Sequence, residues 1–192
     1  MQTFELKGEL RTNTGKKATK VLRAGENVPC VLYGADGENI HFFVDEKQLK
    51  KLLYTPIVYK LKIDIAGKNY DAIIKASQFH PVTDKVLHLD FYKIQEDKPV
   101  VVEIPVKLNG FSAGVQAGGR LVQVLRKLKV KALPKDLPDS VNIDVTELGL
   151  GKSIKVKELV FDDYTITNAK DAVVVQVKMT RAAKAAEAAS QK

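Results

Sequence analysis

Cysteine is nearly missing from this 192-residue chain: Cys30 stands alone, so no disulfide framework can hold the fold. Flanked by Val28, Val31 and Leu32, it reads as a small apolar residue of a strand, with a reactive thiol the minority alternative. Long apolar runs are also missing. No stretch approaches the roughly 20 residues of a spanning helix, which argues against a helical membrane protein. The opening residues, MQTFELKGEL, have neither the basic start nor the apolar centre of a secretory signal. These absences lead us to expect a cytoplasmic chain. Dense ligand motifs are absent as well. His41, His80 and His88 lie in separate segments, and no paired nucleophile and base is visible. No cofactor, metal site, small-molecule substrate or enzymatic activity is therefore expected. Acid is the scarcer charge: 31 basic residues against 23 acidic ones give a net charge of +8 and a pI near 9.4. That balance favours a polyanionic partner such as nucleic acid.

The positive charge is not spread evenly. Residues 1–98 carry 16 basic and 13 acidic residues, net +3, and residues 99–192 carry 15 and 10, net +5. Within the first half, Lys7, Arg11, Lys16, Lys17, Lys20 and Arg23 fall together against the single acid Glu9. Such concentration points to a localised site. The alternation of Thr3 to Arg11 predicts a strand with Phe4, Leu6 and Leu10 on its core face. Asn13 and Gly15 mark a turn. From Lys17 to Ala24, Ala18, Val21 and Leu22 at i, i+3 and i+4 predict a helix with an inward apolar face, ended by Gly25. Its opposite face holds Lys16, Lys20 and Arg23, a pattern that a merely solvated face would share.

The rest of the chain reads as short strands in two halves. Strands are expected over Val28 to Tyr33 and Ile40 to Val44, with a turn at 35–37 between them. Asp45 caps a short helix whose Leu49, Leu52 and Leu53 face the core. Ile57 to Ile65 and Tyr70 to Ala76 form two strands around a turn at Gly67-Lys68-Asn69. In the strand Val86 to Ile94, Leu87, Leu89 and Phe91 point to a core, while His88, Asp90 and Tyr92 share the other face. Polar QEDKP at 95–99 marks a boundary between a domain at 1–95 and a second at 96–179. The second half opens with a strand over Val100 to Leu108. The glycines at 110, 114, 118 and 119 match no phosphate-binding fingerprint and are expected in hairpins and bulges. Strands follow over Leu121 to Ala132, Val141 to Val145 and Ala172 to Val177. RLVQVLRKLKVK carries five basic residues and no acid, a second patch that reads first as a solvated face. Ala-rich residues 180–192 are expected to be a flexible tail.

Three segments, ELRTNTGKKATKVLRAGENVPCVLYG, QFHPVTDKVLHLDF and AGVQAGGRLVQVLRKLKVKALPKDLPDSVNIDV, resemble bacterial large-subunit ribosomal protein twenty-five, the Ctc or general stress protein family. Their order and spacing cover about residues 3–178. The resemblance implies a mainly β protein with two domains: an N-terminal β-barrel with short helices that binds 5S ribosomal RNA, and a C-terminal β-rich domain. It also implies neighbouring components of the large subunit as partners. The RNA-contacting positions it implies are Arg11, Lys16, Thr19, Lys20, Tyr33, His88 and Asp90, and Arg23 joins them from the basic helix face. One departure stands out. Where many members have two consecutive arginines this chain has Lys20-Val21, and lysine is a point charge where arginine can fork.

Two other function classes compete. A β-rich protein-binding adaptor would use the glycine-rich loop and the Arg120–Lys131 segment. A metal-dependent hydrolase would need His41, His80, His88 and Asp90 to converge.

Overall fold

The computed structural model describes residues 2–34, 37–181 and 183; the first two residues of the turn expected at 35–37 and most of the expected tail lie outside them. The described chain is mainly β, and it divides into two compact units, Met1–Val100 and Val101–Lys192.

The first unit is a closed six-stranded barrel. β1 (Gln2–Leu10) alternates as expected, with Leu6 buried and Phe4 packed on the core. Gly8 continues that face, where an added Cβ would lie 2.5 Å from a Phe42 ring carbon. Leu10 has the same parity but is 52% exposed. It lies at the strand's last position, past the side chains that could cover it. α1 (Lys16–Ala24) leads to β2 (Asn27–Tyr33) and β3 (Ile40–Asp45). α2 (Glu46–Leu53) starts where the Asp45 carboxylate accepts from the Lys47 amide at 2.9 Å. Leu49 and Leu52 are buried, and Leu53 packs beside them.

β4 (Tyr59–Ile65) and β5 (Lys68–Phe79) form a hairpin whose two turn residues, Ala66 and Gly67, have φ of 52° and 81°. Two positive φ values in a two-residue loop match the right-handed twist of the flanking strands. The Asp64 carboxylate accepts from the Gly67 amide at 3.0 Å. The turn therefore comes before the expected Gly67-Lys68-Asn69, Ile57 stays outside the strand, and β5 runs on past Ala76. β6 (Val86–Lys93) completes the barrel in the order β1-β3-β2-β6-β5-β4, closed by parallel pairing of β1 with β4. Six strands leave room inside only for side chains. Phe42 and Phe91, with centroids 5.6 Å apart, are packed among Leu6, Leu32, Leu61, Ile63 and Leu89. Cys30 is wholly buried there, and burial raises its thiol far above the ordinary range. It is a core residue.

The second unit holds two smaller sheets. They are built from β7 (Val100–Asn109), α3 (Ala113–Gln116), β8 (Arg120–Gln123), β9 (Lys127–Ala132), β10 (Val141–Asp144), β11 (Ser153–Lys155), β12 (Thr165–Ile166) and β13 (Val173–Lys178). One sheet has the order β10-β7-β9-β12 and the other β11-β13-β8. The continuous strand expected over 121–132 is thus two strands in different sheets, broken at Val124-Leu125-Arg126. The glycine-rich loop also differs from expectation. It contains the short helix α3, and Gly114 lies so close to the chain at Gly149 that a Cβ would sit 2.6 Å from that carbonyl carbon. Close backbone approach, more than hairpin geometry, requires glycine there.

Candidate nucleic-acid interface

β2 and β6 are far apart in sequence but pair in parallel, with Val31 opposite Asp90 and Tyr33 opposite Tyr92. Because Cys30 and Leu32 point into the barrel, Val31 and Tyr33 point out. Pairing with β3 sets His41 opposite Val31, and pairing with β5 sets Ala76 opposite Asp90 and Gln78 opposite His88. One outer face therefore carries His41, Val31, Asp90 and Ala76 as a row across four strands. His88 with Gln78 lies on one side of that row, and Tyr33 with Tyr92 on the other. Gln78 escaped the sequence reading because β5 was expected to stop at Ala76. Carrying the alternation on to Phe79 would have exposed it.

His88 Nδ1 lies 2.8 Å from Asp90 Oδ1, with the two side chains 25% and 32% exposed. As an Nδ1–H donor to Asp90, the neutral ring presents Nε2 as an acceptor, and the protonated ring presents it as a donor. Asp90 keeps further lone pairs for a hydroxyl or an amino group. Tyr33 meets Tyr92 edge to face, with centroids 5.9 Å apart. Burial, then the charge of Asp90 and then Tyr92 raise the Tyr33 hydroxyl above its usual range, so it stays a donor at neutral pH.

Beside this face lies α1, packed against β2. The helix begins at Gly15, whose φ of 117° glycine adopts readily; no side chain caps it and no acid sits in its first turn. Its leading N–H groups and positive dipole end are left without an internal anion. None of its residues is buried. Val21, expected in the core, is 73% exposed, because the barrel core is complete without the helix. Side-chain hydrogen bonds tie α1 down instead. Arg11 Nη2 donates to Thr19 Oγ1 at 3.2 Å, and that hydroxyl donates to the Gly15 carbonyl at 2.8 Å. Arg23 Nε and Nη2 both donate to the Leu87 carbonyl, at 3.2 and 2.9 Å. Leu87 immediately precedes His88, so Arg23 joins the end of the helix to the strand that carries the His–Asp pair.

The eight candidate residues thus separate by what they touch. Tyr33, His88 and Asp90 share the sheet face. Lys16 and Lys20 are exposed, with no ion pair to another described residue. Arg11, Thr19 and Arg23 spend donors or acceptors on holding the helix. His80 is elsewhere: its Nδ1 accepts from the amides of Val82 and Thr83 at 3.3 and 3.2 Å, fixing a loop. Among the described residues, no three His, Cys, Asp or Glu side chains gather as metal ligands would.

Two family models match the chain in tandem, the Ribosomal L25p family over residues 6–91 and the C-terminal domain of ribosomal protein TL5 over residues 99–181. The chain is 50% identical to large ribosomal subunit protein bL25 of Phocaeicola vulgatus, across the full length of both. The chain belongs to the bL25 family. Other bL25 proteins agree: that of Porphyromonas gingivalis is 48% identical over 97% of each chain. That of Parabacteroides distasonis is 45% identical over 98% of this chain and 99% of its own. This is the family to which the sequence motifs pointed. The L25p match ends inside β6, and the TL5 match opens just before β7.

Proposed function

We propose that this bL25 protein is a structural, non-catalytic component of the large ribosomal subunit in the cytoplasm, and that it holds 5S ribosomal RNA through the outer face of its barrel. Residues 1–95 are the RNA-binding domain in this reading, and 96–179 a second domain that faces neighbouring components of the subunit. The observation that carries it is the parallel β2–β6 register, which sets Tyr33, His88 and Asp90 on one face of a sheet to which Arg23 ties the basic helix α1. The wide, shallow minor groove of an RNA helix offers phosphates, 2′-hydroxyls and base edges together. Lys16, Lys20 and the uncapped start of α1 suit phosphates, which fix register. Tyr33, His88, Asp90 and the neighbouring Gln78 suit hydroxyls and base edges, which carry specificity. An acid within a phosphate-binding surface costs affinity unless it makes a specific contact, so Asp90 is assigned the selective role.

Backbone footprinting on isolated 5S RNA tests this. The wild-type chain should protect one region, and Lys16→Ala/Lys20→Ala should weaken that protection and lower the log–log salt slope by about 2. Asp90→Asn should narrow the preference for 5S RNA over an unrelated duplex. A wild-type chain that protects nothing would end the proposal.

A further inference from the structure

The second unit carries a basic surface that the barrel reading leaves unused. On β9 the pattern KLKVKA sorts completely by parity: Leu128, Val130 and Ala132 are buried, and Lys127, Lys129 and Lys131 are exposed. Three ammonium groups therefore stand on one face of a rigid strand, with Cα positions roughly 7 Å apart along it. None of the three makes an ion pair to another described residue. Lysines on sheet edges commonly serve to repel other strands. That explanation fails here, because β9 is not a bare edge. β12 pairs with it at Lys131 and Val130. Beyond that pairing, the Lys129 carbonyl accepts from the Thr167 amide at 2.8 Å and its hydroxyl at 3.1 Å, while Asn168 Oδ1 accepts from the Lys129 amide at 2.7 Å. The edge is closed by backbone and side-chain groups, and the lysines point away from it.

We infer that the outer face of β9 is a second RNA-backbone contact, separate from the barrel site, reading phosphates through Lys127, Lys129 and Lys131. Charge complementarity selects the partner. Lysine is a compact point charge suited to single phosphates, and contacts to phosphates carry no base information. Protein interfaces are built differently, with aromatic and arginine anchors and few lysines at their centre, and this stripe has no aromatic residue. The partner is thus an RNA strand, and the contact adds affinity and orientation, not sequence selectivity. The inference rests on the chain's place in the large subunit but not on the barrel's choice of 5S RNA.

The test uses large ribosomal subunits depleted of this protein and rebuilt with the full chain, mapped by hydroxyl-radical footprinting of all their RNA. Wild type should protect two separate stretches. K127Q/K129Q/K131Q should lose one and keep the barrel's footprint, and K127R/K129R/K131R should restore the lost one. Thermal unfolding of the glutamine variant at the wild-type temperature shows that the fold is intact. Unchanged protection in the glutamine variant would overturn the inference, as would crosslinks from these positions that run only to protein. Loss of the barrel footprint in wild type would instead count against the proposed function and leave the β9 contact standing.

Discussion

At the scale of single residues, the candidate interface separates groups proposed to meet RNA from groups that hold the framework in place. Arg23 is the clearest case of holding. Both of its donors go to the Leu87 carbonyl, so Arg23→Ala should destabilise the barrel by about 1 kcal/mol in urea unfolding. RNA affinity should fall with it, yet the log–log salt slope should stay that of wild type; a drop of about 1 would make Arg23 a phosphate contact instead. Cys30 makes the opposite point about chemistry. Its thiol is buried and its pKa lies far above neutral, so almost no thiolate exists in the folded protein. Iodoacetamide at pH 8 should modify the native chain at least about 100-fold more slowly than the urea-unfolded chain. Of these two roles, only that of Cys30 was legible in the sequence, from its apolar neighbours. Basic residues at helical spacing look alike whether they face a ligand or a carbonyl, and no local pattern shows that Leu87 will claim Arg23.

At the scale of elements, periodicity told which residues share a face but not whether anything covers that face. It served well in α2, where Leu49 and Leu52 are buried. It misled for Val21, because α1 lies outside a barrel that is already full, and for Leu10, at the rim. The break at Val124-Leu125-Arg126 was hidden because both flanking pieces are good strand sequence and only their assignment to separate sheets divides them. The β4–β5 hairpin offers a test of how closely turn chemistry controls this fold. Ala66 has a φ of 52°, a conformation costly for alanine but well tolerated by asparagine. Ala66→Asn creates an Asn-Gly turn of the type this hairpin prefers and should stabilise the barrel by about 0.5 to 1 kcal/mol in denaturant melts. No gain would mean that the flanking strands, not the turn, set the register.

At the scale of the whole molecule, the barrel is held together by pairings between distant segments. β1 closes against β4, and β2 against β6, each in parallel. The convergence of Tyr33 with His88 and Asp90 depends on the second of these, which is why only a family resemblance, and no local motif, could name those residues together beforehand. A fragment ending at residue 80 lacks β6 entirely, so it should show neither cooperative unfolding nor 5S protection, while residues 1–100 should show both. The same pairing has a consequence in time. During synthesis, Lys16 and Lys20 leave the ribosome early, but the strand that carries His88 and Asp90 is the last of the barrel to appear. On the proposed function, a nascent chain therefore passes through a stage in which the lysines assigned to phosphates are present and the groups assigned to selection are not yet made. Discrimination, if it rests on His88 and Asp90 as proposed, arrives in a single step, with the closing strand.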